Sequence, residues 1–273
     1  MKAFRLALAF SLGMFIVVIT TPPSLAMDFA FKKVTFPGGS DDVKPRLVLS
    51  GEITTGDTAR LRHFIADNRI RMVYSPQVVL DSPGGSISEA MKMADLFNEM
   101  LFYVFVPPPG NCVSACFLLY VSAPFHAAWA GRVGIHRPYI ATSVERDLSL
   151  SEAQRQQNAG LEKTKTWLQS HNVPQDLIDK MVSLPSTSAY WLNDEDLRRI
   201  GSRAPWFEEW VLAKCPGFLE VESAFLNDPY DQEKRNAFQS AAACEAGAVS
   251  SEHTSRLVTL IKSVEGESSA ATH

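Results

Sequence analysis

The sequence predicts an α/β fold of repeated β–α units carrying a small, mostly helical C-terminal appendage. Three observations predict it. Short apolar runs end in glycine turns, and each turn leads into a segment with apolar residues at helical spacing. The clearest case is Val78-Val79-Leu80, then Asp81-Ser82-Pro83-Gly84-Gly85, then Ile87, Met91, Ala94, Phe97 and Leu101. Strands linked by such crossovers run parallel, and a parallel sheet is covered on both faces. Past Trp210 the periodicity weakens and the composition shifts toward Ser, Ala and Glu.

In chain order, residues 1–26 come first. Lys2 and Arg5 form a basic start, Leu6 to Thr20 an apolar run, and Ser24-Leu25-Ala26 a small-x-small cleavage site, the three parts of an export signal. The run is shorter than the ~20 apolar residues of a spanning helix, and Pro22-Pro23 follows it. Cleavage near Met27 is therefore expected, giving a periplasmic or secreted protein that meets a membrane only through an uncleaved signal segment.

After the polar stretch Gly39-Ser40-Asp41-Asp42, Arg46 to Ile53 reads as a strand running into a turn, and Gly56 precedes Leu61, Phe64 and Ile65 at helical spacing. Phe102 to Val106 is a third strand and Pro107-Pro108-Pro109-Gly110 a turn, while Cys112 to Ser122 is apolar enough and long enough for a buried helix. Ala127 to Arg132 and Val133 to His136 read as short strands. Ser151 with Gln154 offers a capping box for a polar helix reaching about Ser170, and Pro174 starts another through Met181. Asn193-Asp194-Glu195-Asp196 puts acids at the start of a short helix that Gly201 closes. The expected organisation is a signal peptide over 1–26, an α/β domain over 27–210, and an extension over 211–273 whose tail is disordered.

The formal charge is −4, and removing residues 1–26 takes away two basic groups and no acid, moving it to −6. That argues against a nucleic-acid partner, which needs a basic face. No segment resembles a P-loop, no CxxC spacing occurs, and the six histidines do not cluster, so no metal and no cofactor is expected. The four cysteines all follow residue 26, and an even number in an exported chain suggests disulfides. On an intact helix the Cβ atoms of Cys112 and Cys116 stand ~5–6 Å apart, beyond the ~3.5–4.5 Å of a disulfide, so that pair needs local distortion. Cys215 with Cys244 is the easier pair.

Three segments carry chemistry together: Ser82-Pro83-Gly84-Gly85-Ser86, Cys112-Val113-Ser114-Ala115-Cys116 and Gly134-Ile135-His136-Arg137-Pro138. The glycine pair offers exposed amides at a helix start, suited to a peptide strand or an oxyanion. Ser114 would stand in the first turn of an apolar helix, with the Ala115 amide beside it. His136 follows 22 residues later at the end of a strand, and a serine hydroxyl is a weak nucleophile unless such a base removes its proton.

With these residues in view, the stretch from Arg46 to Gly201 resembles the proteolytic subunit of the Clp protease and its exported relatives in the Clp/crotonase superfamily. Arg46 to Ile53, Ser82 to Ser86, Ser114 and Ile135 to Pro138 match the family's strand, glycine turn, serine and Ile-His-x-Pro segment in order. The resemblance implies a serine peptidase acting on peptide or unfolded protein, with Ser114 as nucleophile, His136 as general base, and amides of Gly84, Gly85 and Ala115 as oxyanion hole. It also implies a homo-oligomer, since relatives form rings or trimers.

The family's third catalytic residue is an aspartate upstream of the helix that corresponds to Asp194 to Gly201. Counting back without gaps reaches Ala189, and the nearest carboxylate upstream is Asp179, which also reads as a solvated group on the polar face of its helix. Two further readings stand beside the peptidase: a peptide-binding or assembly module of the same fold with decayed catalysis, and crotonase-type acyl chemistry on a thioester. Export argues against the coenzyme A substrates of the last.

Overall fold

The computed structural model describes residues 26–36, 45–73, 76–140 and 147–270. The signal features before Ala26 and the polar stretch at 39–42 lie outside the described residues. The α/β architecture is the one expected, a series of β–α units with a helical C-terminal part.

Strand β1 (Asp28–Lys33) pairs antiparallel with β2 (Pro45–Ser50), and β2, β3 (Gln77–Asp81), β4 (Tyr103–Val106) and β6 (Phe125–Ala128) then run parallel in the order β1-β2-β3-β4-β6. Consecutive residues Leu47-Val48-Leu49 and Val78-Val79-Leu80 are all buried, which is how a strand covered on both faces must read. The β2 strand stops before Ile53 because Gly51 turns the chain at φ 99°. A second sheet, β5 (Cys112–Val113), β7 (Val133–Ile135) and β8 (Tyr190–Trp191), has β5 parallel and β8 antiparallel to β7.

Helices α1 (Asp57–Asp67) and α2 (Arg69–Val73) connect β2 to β3, and α3 (Ile87–Glu99) connects β3 to β4. Helix α4 spans Cys116–Ser122 and not the whole run from Cys112. Cys112 and Val113 instead pair with Val133 and Gly134, and Ser114 at φ 59° ends the extended path. Helix α5 (Leu150–Ser170) opens on a Ser149/Glu152 capping box, two residues ahead of the expected Ser151/Gln154 pair. A carboxylate at Glu152 can accept from the Ser149 amide while its own amide donates to Ser149 Oγ, which fixes the start there. Helix α6 (Gln175–Ser183) follows Pro174, and α7 (Asp194–Ile200) has the acidic first turn and Gly201 end that were expected.

The expectation of a disordered tail is corrected: α8 (Pro205–Lys214) and α9 (Phe218–Asn227) lead into α10, 39 residues over Gln232–Ala270. Its apolar stripe is narrow, with Val249, His253, Leu257, Leu260 and Val264 buried at three- and four-residue steps. The last three belong to the main core. His253 is fully buried, with Nδ1 2.7 Å from the Met100 carbonyl oxygen and Nε2 2.8 Å from that of Met72. Arg203 donates to Glu222 (2.8 Å) and Glu245 (3.2 Å), and Tyr103 donates to Glu245 (2.7 Å), tying α9 and α10 to the sheet. The Cys215–Cys244 disulfide joins the end of α8 to α10. No helix among the described residues is long and apolar enough to cross a membrane.

Candidate active site

The turn after β3 is built around close backbone approaches that only glycine permits. Gly84 has φ 97°, and a Cβ on it would lie 2.6 Å from the Val113 carbonyl oxygen and 2.7 Å from Ser114 Cβ. Gly85 has φ 138°, and a Cβ there would lie 2.2 Å from the Ile53 carbonyl oxygen. Gly84 therefore abuts the serine while Gly85 abuts the strand extension at Ile53. The Ile53 amide donates to Gly84 (2.7 Å), Ser86 donates back to Ile53 (2.8 Å), and Ser86 then caps α3 by accepting from the Glu89 amide.

Ser114 sits between β5 and α4. Its amide donates to the Gly134 carbonyl (3.0 Å), the Val113 amide donates to Ser82 (3.0 Å), and the Phe117 amide donates to the Ser114 carbonyl (2.9 Å). A left-handed conformation costs a residue other than glycine about 1–2 kcal/mol, and these bonds, with Gly84 packed against them, offset part of that cost. The Cys112–Cys116 disulfide closes over the same turn with a Cα–Cα distance of 5.2 Å. The distortion that this pairing needs is supplied by the elbow itself, because residues 112–115 are not helical.

His136 follows β7 directly. Its Nδ1 lies 2.9 Å from the Arg137 carbonyl oxygen, and a proton donated there leaves Nε2 as the ring's acceptor. The next residues are anchored by Gln157 of α5, which donates to the Pro138 carbonyl and accepts from the Ile140 amide (3.1 Å). Ser114, His136, Gly84, Gly85, Glu52 and Tyr139 line one cleft of about 830 Å³.

The sequence-derived residues do not all behave alike. Ser114 and His136 share the cleft, but among the described residues Ser114 Oγ makes no hydrogen bond, to His136 included. The Gly84 amide is already used, donating to Ser82 Oγ (3.1 Å). The Gly85 and Ala115 amides have no acceptor among the described residues, and Ala115 itself is buried. Asp179 lies on the exposed face of α6, takes a hydrogen bond from Gln175 Nε2 (2.9 Å), and is not part of the cleft.

The antiparallel pairing of β7 with β8 ends at Ile135 and Tyr190, and one further step in that register would set His136 opposite Ala189. The position reached by counting back from Gly201 is thus the residue just before β8, and it carries a methyl group. The Arg137 carbonyl, which does bond the imidazole, was not readable in the sequence, since any residue supplies a carbonyl. Tyr139, whose ring centroid is 5.9 Å from that of His136, was also missed. Its place directly after the Ile-His-x-Pro segment was the available signal.

No family model matches the sequence, and no curated protein matches it. Among solved structures it is similar to a mutant of a membrane-bound stomatin-specific protease, at 16% identity over 62% of this chain and 82% of that one, with a TM-score of 0.40. It is similar to ClpP1 from Listeria monocytogenes at 16% identity over 56% of this chain and 85% of that one, TM-score 0.38. An enoyl-CoA hydratase from Mycobacterium avium subsp. paratuberculosis aligns at 13% identity over 91% of this chain and 90% of that one, TM-score 0.31.

Proposed function

We propose that the chain is an exported serine hydrolase that cleaves extended peptide through Ser114 and His136. The observation that carries the reading is the left-handed Ser114 elbow opening into the same cleft as His136, whose Nδ1 is engaged by the Arg137 carbonyl. Ser114 Oγ attacks the acyl carbon as its proton passes to His136 Nε2. The developing oxyanion takes hydrogen bonds from the Gly85 and Ala115 amides, and His136 then protonates the leaving amine. Water deacylates the serine by the same base. A peptide can add as a strand beside the Gly84-Gly85 turn, where backbone pairing with Ile53 already ends. Export fits two disulfides together with the basic-apolar-small pattern of residues 1–26.

A peptide-binding module without turnover is the second reading, favoured by alanine at the position just before β8 and by a Ser114 hydroxyl that has no partner among the described residues. A fluorophosphonate probe separates the two. Covalent labelling that maps to Ser114 and disappears in His136→Ala supports the hydrolase. Absence of labelling in folded, disulfide-intact protein rejects it in favour of the binding module.

A further inference from the structure

We infer that the Cys112–Cys116 disulfide is the positioning device of the nucleophile, so that the site is competent only in the oxidised chain. The inference rests on the hydrolase reading given above. Ser114 is the middle residue of the bridged segment, two positions from each sulfur, and both cysteines are fully buried. Cys112 is fixed on β5, with its amide donating to Arg132 (2.8 Å), and Cys116 is the first residue of α4. The bridge therefore joins the strand entering the elbow to the helix leaving it.

What the bridge adds can be told from what the backbone already does. The hydrogen bonds of Val113, Ser114 and Phe117 fix amides and a carbonyl on either side of the elbow. None of them involves the Ala115 amide or the Ser114 hydroxyl. Helix α4 has no side-chain cap, since Ala115 occupies its N-cap position. Its first turn is held to the elbow covalently through Cys116. With the bridge open, the elbow can relax toward negative φ, which swings Oγ and turns the Ala115 amide away together. Opening takes two electrons and two protons from a dithiol, which leaves as its own disulfide, while Cys112 and Cys116 become thiols. The second disulfide, Cys215–Cys244, is at the α8–α10 junction and touches none of these groups.

The test compares wild type, Cys112→Ala/Cys116→Ala and Cys215→Ala/Cys244→Ala, using fluorophosphonate labelling rates and peptide turnover. The elbow variant is expected to lose at least tenfold in labelling rate and in kcat with KM unchanged and a cooperative unfolding transition retained. The Cys215/Cys244 variant is expected to label like wild type. A second measurement guards against misfolding of the elbow variant. The Cys215→Ala/Cys244→Ala protein is equilibrated across dithiothreitol redox buffers, and labelling is compared with the fraction of bridged Cys112–Cys116 found by mass spectrometry. Labelling proportional to that fraction supports the inference, and full labelling of the reduced form overturns it. Oxidised wild type that never labels overturns the hydrolase reading itself, and the inference with it.

Discussion

Replacing Ala189 by aspartate tests whether a carboxylate at the residue just before β8 can serve His136, the residue just after β7. Continued one residue past Ile135 and Tyr190, the antiparallel register would set positions 136 and 189 across from each other, and Cβ atoms of such a pair are about 4.5–5.5 Å apart. An aspartate at that distance can reach the imidazole edge and stabilise the imidazolium that forms during proton transfer. Unit charges about 4 Å apart near a protein surface interact by about 4 kcal/mol, which corresponds to about a thousandfold in rate as an upper limit. The Arg137 carbonyl already engages Nδ1, so the part of a triad's effect that comes from tautomer and orientation is partly in place. Ala189→Asp is accordingly expected to raise kcat/KM between about tenfold and a thousandfold. The assay is turnover of a fluorogenic peptide alongside the fluorophosphonate labelling rate. Ala189→Asn, of equal size and no charge, should gain less than tenfold. Folded Ala189→Asp protein with unchanged or lower turnover would refute the reasoning, because either His136 is not the base or position 189 does not face it.

On the same reading, Ser114→Ala and His136→Ala should each abolish labelling and turnover, and the double variant should be little worse than either, as for residues that act as a unit. Asp179→Ala should leave kcat/KM within about twofold, since Asp179 is exposed and bonded to Gln175. Burial pushes the His126 imidazole down from 6.5 to about 4, against opposing pulls from the Ala123 and Gly201 backbones. The unfolded chain therefore binds the extra proton first, and stability present above pH 6.5 falls as pH drops toward 4. The loss should approach about 3 kcal/mol, read from urea unfolding at neutral pH and near the lower limit. A flat profile that His126→Phe does not alter would reject that assignment. His253→Ala should destabilise by about 2–4 kcal/mol in the same assay, as its ring bridges the Met100 and Met72 carbonyls under α10. A change below 1 kcal/mol would mean α10 is not held there.

The strands and glycine turns were legible because their residues are constrained from both sides. Leu47-Val48-Leu49 and Val78-Val79-Leu80 are apolar at every position, and the turn after the second holds Gly84 and Gly85 where Cβ atoms cannot fit. The C-terminal helix was not legible for the opposite reason. Its buried stripe at Val249, His253, Leu257, Leu260 and Val264 is one residue wide amid Ser, Ala and Glu, so composition outweighs periodicity. The start of α4 was misjudged because an apolar run does not reveal that its first two residues pair with Val133 and Gly134. Once they pair, Ser114 has to turn out of the strand, and Cys112 and Cys116 come within bridging distance.

The histidine's surroundings show a similar limit. In a serine, histidine and aspartate triad, one carboxylate both fixes the base's tautomer and stabilises the charge it acquires. At His136 those two tasks are separable. The Arg137 carbonyl can fix the tautomer, and a carbonyl dipole carries no net charge to stabilise an imidazolium. Ala189 supplies neither. A pattern of side chains registers only the missing carboxylate, which makes the site look broken, whereas the backbone retains half of what the carboxylate would do. On the proposed reading the chain therefore works as an oriented but uncompensated dyad. Asparagine and aspartate at position 189 separate the charge from everything else, since they are of nearly equal size and only aspartate carries it.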